Sequence, residues 1–131
     1  MENLTNYITE ILILLFIAIT FLQSGLDKVT DWKGNIGWLK GHFSKTFLAS
    51  QVTLMVATIL VLEVLAGLMA LVGIFYIISS GNTDIALYAN VLAAITLLML
   101  LFGQRVAKDY AGAFTIVGYF IVVILGVTLL S

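Results

Sequence analysis

The sequence predicts an all-α fold, an integral membrane four-helix bundle with an interfacial or re-entrant segment between helices 1 and 2. Three observations carry that reading. Of the 131 residues, 62% are hydrophobic and 10% charged, against roughly 45–50% apolar and 25% charged in soluble domains. Four apolar runs, at about 7–25, 52–78, 85–102 and 111–130, have the length needed to cross a hydrocarbon layer of roughly 30 Å. All six Lys and Arg residues fall at one end of the resulting bundle. The length suits a single domain covering 1–131.

Taken in order, Met1 to Glu10 is polar and acidic. The apolar run behind it lacks the basic leader and small-residue cleavage site of a signal peptide, so it is expected to stay as an anchor. Asn3-Leu4-Thr5 matches a glycosylation sequon, a weak signal in a short tail. The first span carries Glu10 near its start, and Thr20 and Gln23 towards its other end.

The connection 26–50 has structure of its own. Trp32, Ile36, Leu39, Phe43 and Phe47 recur at helical spacing, with Lys33, Lys40 and Lys45 between them. An apolar stripe opposed by lysines describes a helix lying in the headgroup layer. Gly34, Gly37 and Gly41 each weaken such a helix by roughly 1 kcal/mol relative to alanine, which keeps a broken, partly re-entrant segment open.

The second span is the centre of the chain. Between Val52 and Ile78 its one charged residue is Glu63. A carboxylate near the middle of a spanning helix costs about 2.5–3.5 kcal/mol on insertion scales, so it is expected to face protein or water. Ala66, Gly67, Ala70 and Gly73 share its face, and small residues in such a row let helices approach closely. Ser79 to Asp84 then makes a short polar turn. Asn90 and Thr96 are the interior polar groups of the third span. The fourth carries Thr115, Gly118, Tyr119 and Gly126, after a charged link from Gly103 to Tyr110.

With four spans, the cations Lys28, Lys33, Lys40, Lys45, Arg105 and Lys108 all lie on the connections 26–50 and 103–110. The positive-inside rule places those connections in the cytoplasm and both termini outside. A net charge of −1 gives no reason to expect nucleic acid as a partner. There is no cysteine and one histidine, His42, so no thiolate chemistry, iron–sulfur cluster, thioether-linked haem or two-histidine metal site is expected. His42 itself reads as an interfacial residue.

Gln23, Asp27 and Lys28 end the first span, while Gln104, Arg105, Lys108 and Asp109 end the third. These two ends share one membrane level in an antiparallel bundle, where they are expected to form a mixed-charge cluster. Counting puts Glu63 about 18 Å from the cytoplasmic end of its own helix, so Tyr119, Thr96 and Thr20 are the expected hydrogen-bond partners, and a pair with Lys28 requires that lysine to reach inward, or a wetted pocket. This layout fits an amphiphile with a polar head, a quinone or a lipid. It equally fits a packed core around a satisfied acid.

Phe21-Leu22-Gln23-Ser24-Gly25-Leu26-Asp27-Lys28 resembles the end of the first helix in the DoxX family of small four-helix bacterial membrane proteins, which shows a glycine and a lysine three residues on. Glu63-Val64-Leu65-Ala66-Gly67, then Gly73, resembles the family's acid-and-glycine second helix. The size, the long first connection and the short second one agree over nearly the whole chain. The family's first connection often carries prolines, and this chain has none. The resemblance implies functional positions at Gly25, Lys28, Glu63 and Gly67, and a place in the bacterial inner membrane. It also implies a link to quinone-dependent sulfur oxidation, as in the membrane part of a thiosulfate:quinone oxidoreductase, or to oxidative-stress complexes.

Three functions follow as expectations. The first is a membrane subunit binding quinone or lipid around Glu63, Lys28, Gln23, Gly25, Gly67, Tyr119 and Arg105, with a membrane protein partner or a second copy of itself. The second is a non-catalytic scaffold subunit. The third is a small proton-coupled carrier with Glu63 as its titrating group.

Overall fold

The computed structural model describes residues 2–131, and every described helix is α-helical apart from one 3₁₀ turn. A short helix α1 (Glu2–Asn6) precedes the first long helix α2 (Ile8–Thr30). Then come α3 (Trp32–His42), the 3₁₀ turn Ala49–Gln51, and the longest helix, α4 (Val52–Ser80). Helices α5 (Asp84–Val106) and α6 (Tyr110–Leu130) complete the chain. Four segments are long and apolar enough to cross a membrane: Ile8–Thr30, Ala49–Ser80, Asp84–Val106 and Tyr110–Leu130. These lengths and compositions are those of an integral membrane protein.

The long helices run alternately up and down. α2 packs on α4, α4 on α5 and α5 on α6, with a lighter seam closing α6 onto α2. The seam foreseen on α4 is buried along its whole length: Glu63, Ala66, Gly67, Ala70 and Gly73 all lie inside. Small residues there let backbones meet. A Cβ added at Gly73 would stand 2.9 Å from Ala86 Cα, so glycine sets the α4–α5 spacing at that level. α4 ends at Gly81, whose φ of 73° is the left-handed conformation glycine adopts at low cost.

Register explains the basic end. Gly67 abuts Leu22, and Gly25 abuts Val64 and Leu60, so one step along α2 meets one step back along α4. The end of α2 at Thr30 therefore lies level with Ile59. The first two turns of α4 project beyond it, an overhang of about 10 Å.

The overhang is covered by α3 and the turns after it. Ile36, Phe43 and Leu48 are buried against Val52 and Val56, with Trp32 and Leu39 partly buried on the same cluster. The apolar stripe read from the sequence thus faces the bundle. It also ends sooner than its spacing suggests: α3 stops at His42, and Phe47, the last member of the stripe, is exposed beyond it. α2, in turn, runs five residues past Gly25, which places Lys28 on a helix and not in a loop.

Candidate functional site

Helix geometry brings Lys28 and Glu63 together. Side chains lean towards the N-terminus of their own helix. On α2 that direction runs from the basic end into the bundle; on antiparallel α4 it runs the opposite way. The two side chains therefore lean towards each other across two levels. Lys28 Nζ donates to Ser24 Oγ at 2.8 Å, one turn back on α2, and meets Glu63 Oε1 at 2.9 Å. The contact with Oε1 is an ion pair without the alignment of a hydrogen bond, and Oε2 has no hydrogen-bond partner among the described residues. The side chain of Glu63 is 2% exposed and that of Lys28 18%, so solvent screens this pair little.

The partner of Glu63 differs from the expectation. Thr96 is buried but donates to Leu92 O on its own helix at 2.8 Å. Tyr119 packs edge-on against Phe16, ring centroids 5.8 Å apart. Thr20 makes no hydrogen bond to the acid. The physical reason is that α2 and α4 do not end at one level. With α4 overhanging, Glu63 lies only about 6 Å inward of the level at which α2 ends.

Beside the pair is a cavity of about 210 Å³ between α2, α3, α4 and α5. Lys28, His42, Gln104 and Asp109 are its polar lining, and Trp38 and Phe43 are among its aromatic walls. Trp38 and His42, one turn apart on α3, stack with ring centroids 4.7 Å apart. His42 Nε2 lies 3.7 Å from Asp109 Oδ2. The other oxygen, Asp109 Oδ1, accepts from Gly112 N at 3.0 Å and caps α6. Among the described residues, Gln104 Oε1 is buried with no hydrogen-bond partner. A second, larger space of about 470 Å³ runs along the outer face of α4 and α5, lined by apolar side chains and Thr58. The two share Met55, Ile59, Met99 and Gly103 as a common wall.

Of the residues singled out from the sequence, Lys28 and Glu63 are in direct contact, and Gly25 and Gly67 make the close α2–α4 approach beside them. Gln23 is exposed on the surface of α2. Arg105 is exposed too, its guanidinium 5.1 Å from the Tyr110 ring centroid and outside the cavity. Tyr119 belongs to the α2–α6 seam. Trp38 and His42 were not foreseen as cavity residues. Their four-residue spacing was the available signal, since it puts both rings on one face of α3. Among the described residues, no group of three or more His, Asp or Glu side chains is arranged to hold a metal ion. Comparison with family models, curated proteins and solved structures finds no match to this chain.

Proposed function

We propose that this chain is a small DoxX-like membrane subunit that holds a polar-headed lipophile, such as a quinone, in the cavity at its basic end. It serves a redox or envelope-stress complex in the bacterial inner membrane. A partner membrane protein supplies the redox centres, since the chain has no cysteine. The basic end faces the cytoplasm by the positive-inside rule, with both termini outside, and α3 lies at headgroup level over the bundle mouth.

One observation carries the reading: a cavity lined by Lys28, itself tied to a buried acid, adjoins an apolar groove on the outer face of the bundle. Convergent polar groups in a mostly apolar concavity are the usual form of a small-molecule site. The donor set fits a quinone head, whose carbonyl oxygens accept hydrogen bonds from an ammonium, an amide or an imidazole. Lys28→Met and Glu63→Gln, each in nanodiscs, are expected to weaken binding of a short-chain quinone analogue by about tenfold, the first by removing a donor and the second by freeing Lys28 to turn away. Unchanged affinity in both variants refutes the assignment.

A further inference from the structure

The two spaces at the basic end differ in size and chemistry. The polar cavity of about 210 Å³ is smaller than the roughly 300–1,000 Å³ of sites that enclose a whole drug-sized ligand. It admits a headgroup. The adjoining groove of about 470 Å³ faces outward between α4 and α5 and is apolar except for Thr58, which suits a hydrocarbon chain.

Two atoms in the cavity wall define the head. Lys28 has three ammonium donors; one goes to Ser24 Oγ and the contact with Glu63 Oε1 is an ion pair, which leaves donor capacity for the cavity. Gln104 Oε1 is a buried acceptor with no partner, and burying such a group unsatisfied is unfavourable. A head that accepts from one and donates to the other satisfies both. A hydroxyl does so, and it does so whichever way the Gln104 amide is turned. Charge argues against an anionic head. The full cation in the lining, Lys28, is already paired with Glu63, and Asp109 adds a carboxylate.

Building on the proposed lipophile site, we infer that its ligand is a neutral, single-chain amphiphile with a hydroxyl head, which reaches the cavity sideways from the bilayer through the α4–α5 groove. A quinol and a monoacylglycerol share that chemistry. A quinone, which has acceptors only, answers the Lys28 donor but leaves Gln104 Oε1 unpaired.

The test uses full-length protein in phosphatidylcholine nanodiscs, with Trp32→Phe leaving Trp38 as the one tryptophan. A monoacylglycerol with a brominated chain is expected to quench Trp38 emission saturably. Decyl-benzoquinol and unbrominated monoacylglycerol are expected to relieve the quenching about tenfold more effectively than decyl-benzoquinone, a fatty acid anion or its methyl ester. Relief by only one of the two hydroxyl compounds supports the inference and names the source. Gln104→Leu is expected to reduce that preference to within about threefold. Gly103→Leu, which fills the shared wall, is expected to abolish saturable quenching, and Thr58→Phe narrows the same groove from α4 should Gly103→Leu fail to fold. Equal relief by the methyl ester overturns the hydroxyl assignment and leaves the lipophile site standing. Quenching that is non-saturable and indifferent to Lys28→Met marks annular lipid only, and overturns both.

Discussion

Removing Lys28 should harm the protein far more when Glu63 is present than when it is not. Glu63 is 1% exposed; its Oε1 faces Lys28 at 2.9 Å and its Oε2 has no hydrogen-bond partner. In Lys28→Met that carboxylate loses its counter-charge inside the bundle, and breaking a buried pair in this way costs about 3–5 kcal/mol. Glu63→Gln should cost less, about 1–2 kcal/mol. The long stem of Lys28 begins within one turn of the α2 end, so its ammonium can swing out to the headgroups. The double variant, left with neither charge, should resemble Glu63→Gln alone, because once the carboxylate is gone, removing the ammonium strands no buried charge. The cycle then returns a coupling equal to the Lys28→Met loss, about 3–5 kcal/mol, far above the roughly 0.5 kcal/mol within which independent sites add. Denaturant titration in detergent micelles, followed by circular dichroism, measures all four corners. Additive losses would mean that the ion pair contributes nothing, and the geometry argued for the site would fail with it.

Gly73→Ala should destabilise by about 1–3 kcal/mol in that titration, because its Cβ would meet Ala86 backbone at 2.9 Å. Gly37→Ala, with nothing within 4 Å of the added Cβ, should stabilise α3 by up to about 1 kcal/mol; a loss would mean that α3 is not an intact helix. Asp109→Ala should cost about 1 kcal/mol through the lost α6 cap, while Asp109→Asn should cost little, since asparagine caps as well. The chain has no cysteine, so single cysteines report topology cleanly. A membrane-impermeant maleimide added to intact cells should label Asn82→Cys and spare Lys45→Cys, and the reverse pattern would invert the proposed orientation.

Much of the architecture was readable because membrane helices declare themselves by length and apolarity. The inward face of α4 was equally plain, since one acid among small residues at helical steps has few other uses. The site was harder. Glu63 and Lys28 each stood out, but their contact depends on how far α4 overhangs α2, and that offset is fixed by packing at Gly25 and Gly67 and not by local sequence. The extent of α2 was hidden for a related reason: Gly25 reads as a helix end, yet here it is an interior point of close approach to Val64. The aromatic stripe of 32–47 showed its helical spacing but not which surface it covers. A stripe that packs on lipid headgroups and one that packs on Val52 and Val56 have the same composition. Gln104 and Asp109 were foreseen at the basic end, whereas the role of His42 required the α3 fold-back.

The claim on which the rest depends is that a lipophile occupies the space beside Lys28 and the groove that adjoins it. Photo-crosslinking with a hydroxyl-headed amphiphile carrying a diazirine in its chain, in nanodiscs, addresses it directly. Adducts should concentrate on α4 between Leu54 and Ile59 and on α5 between Ile95 and Gly103, and should fall several-fold in Lys28→Met. Adducts spread evenly over the outer faces, with exposed Phe114 and Ile121 of α6 labelled as strongly as the groove, would contradict the claim.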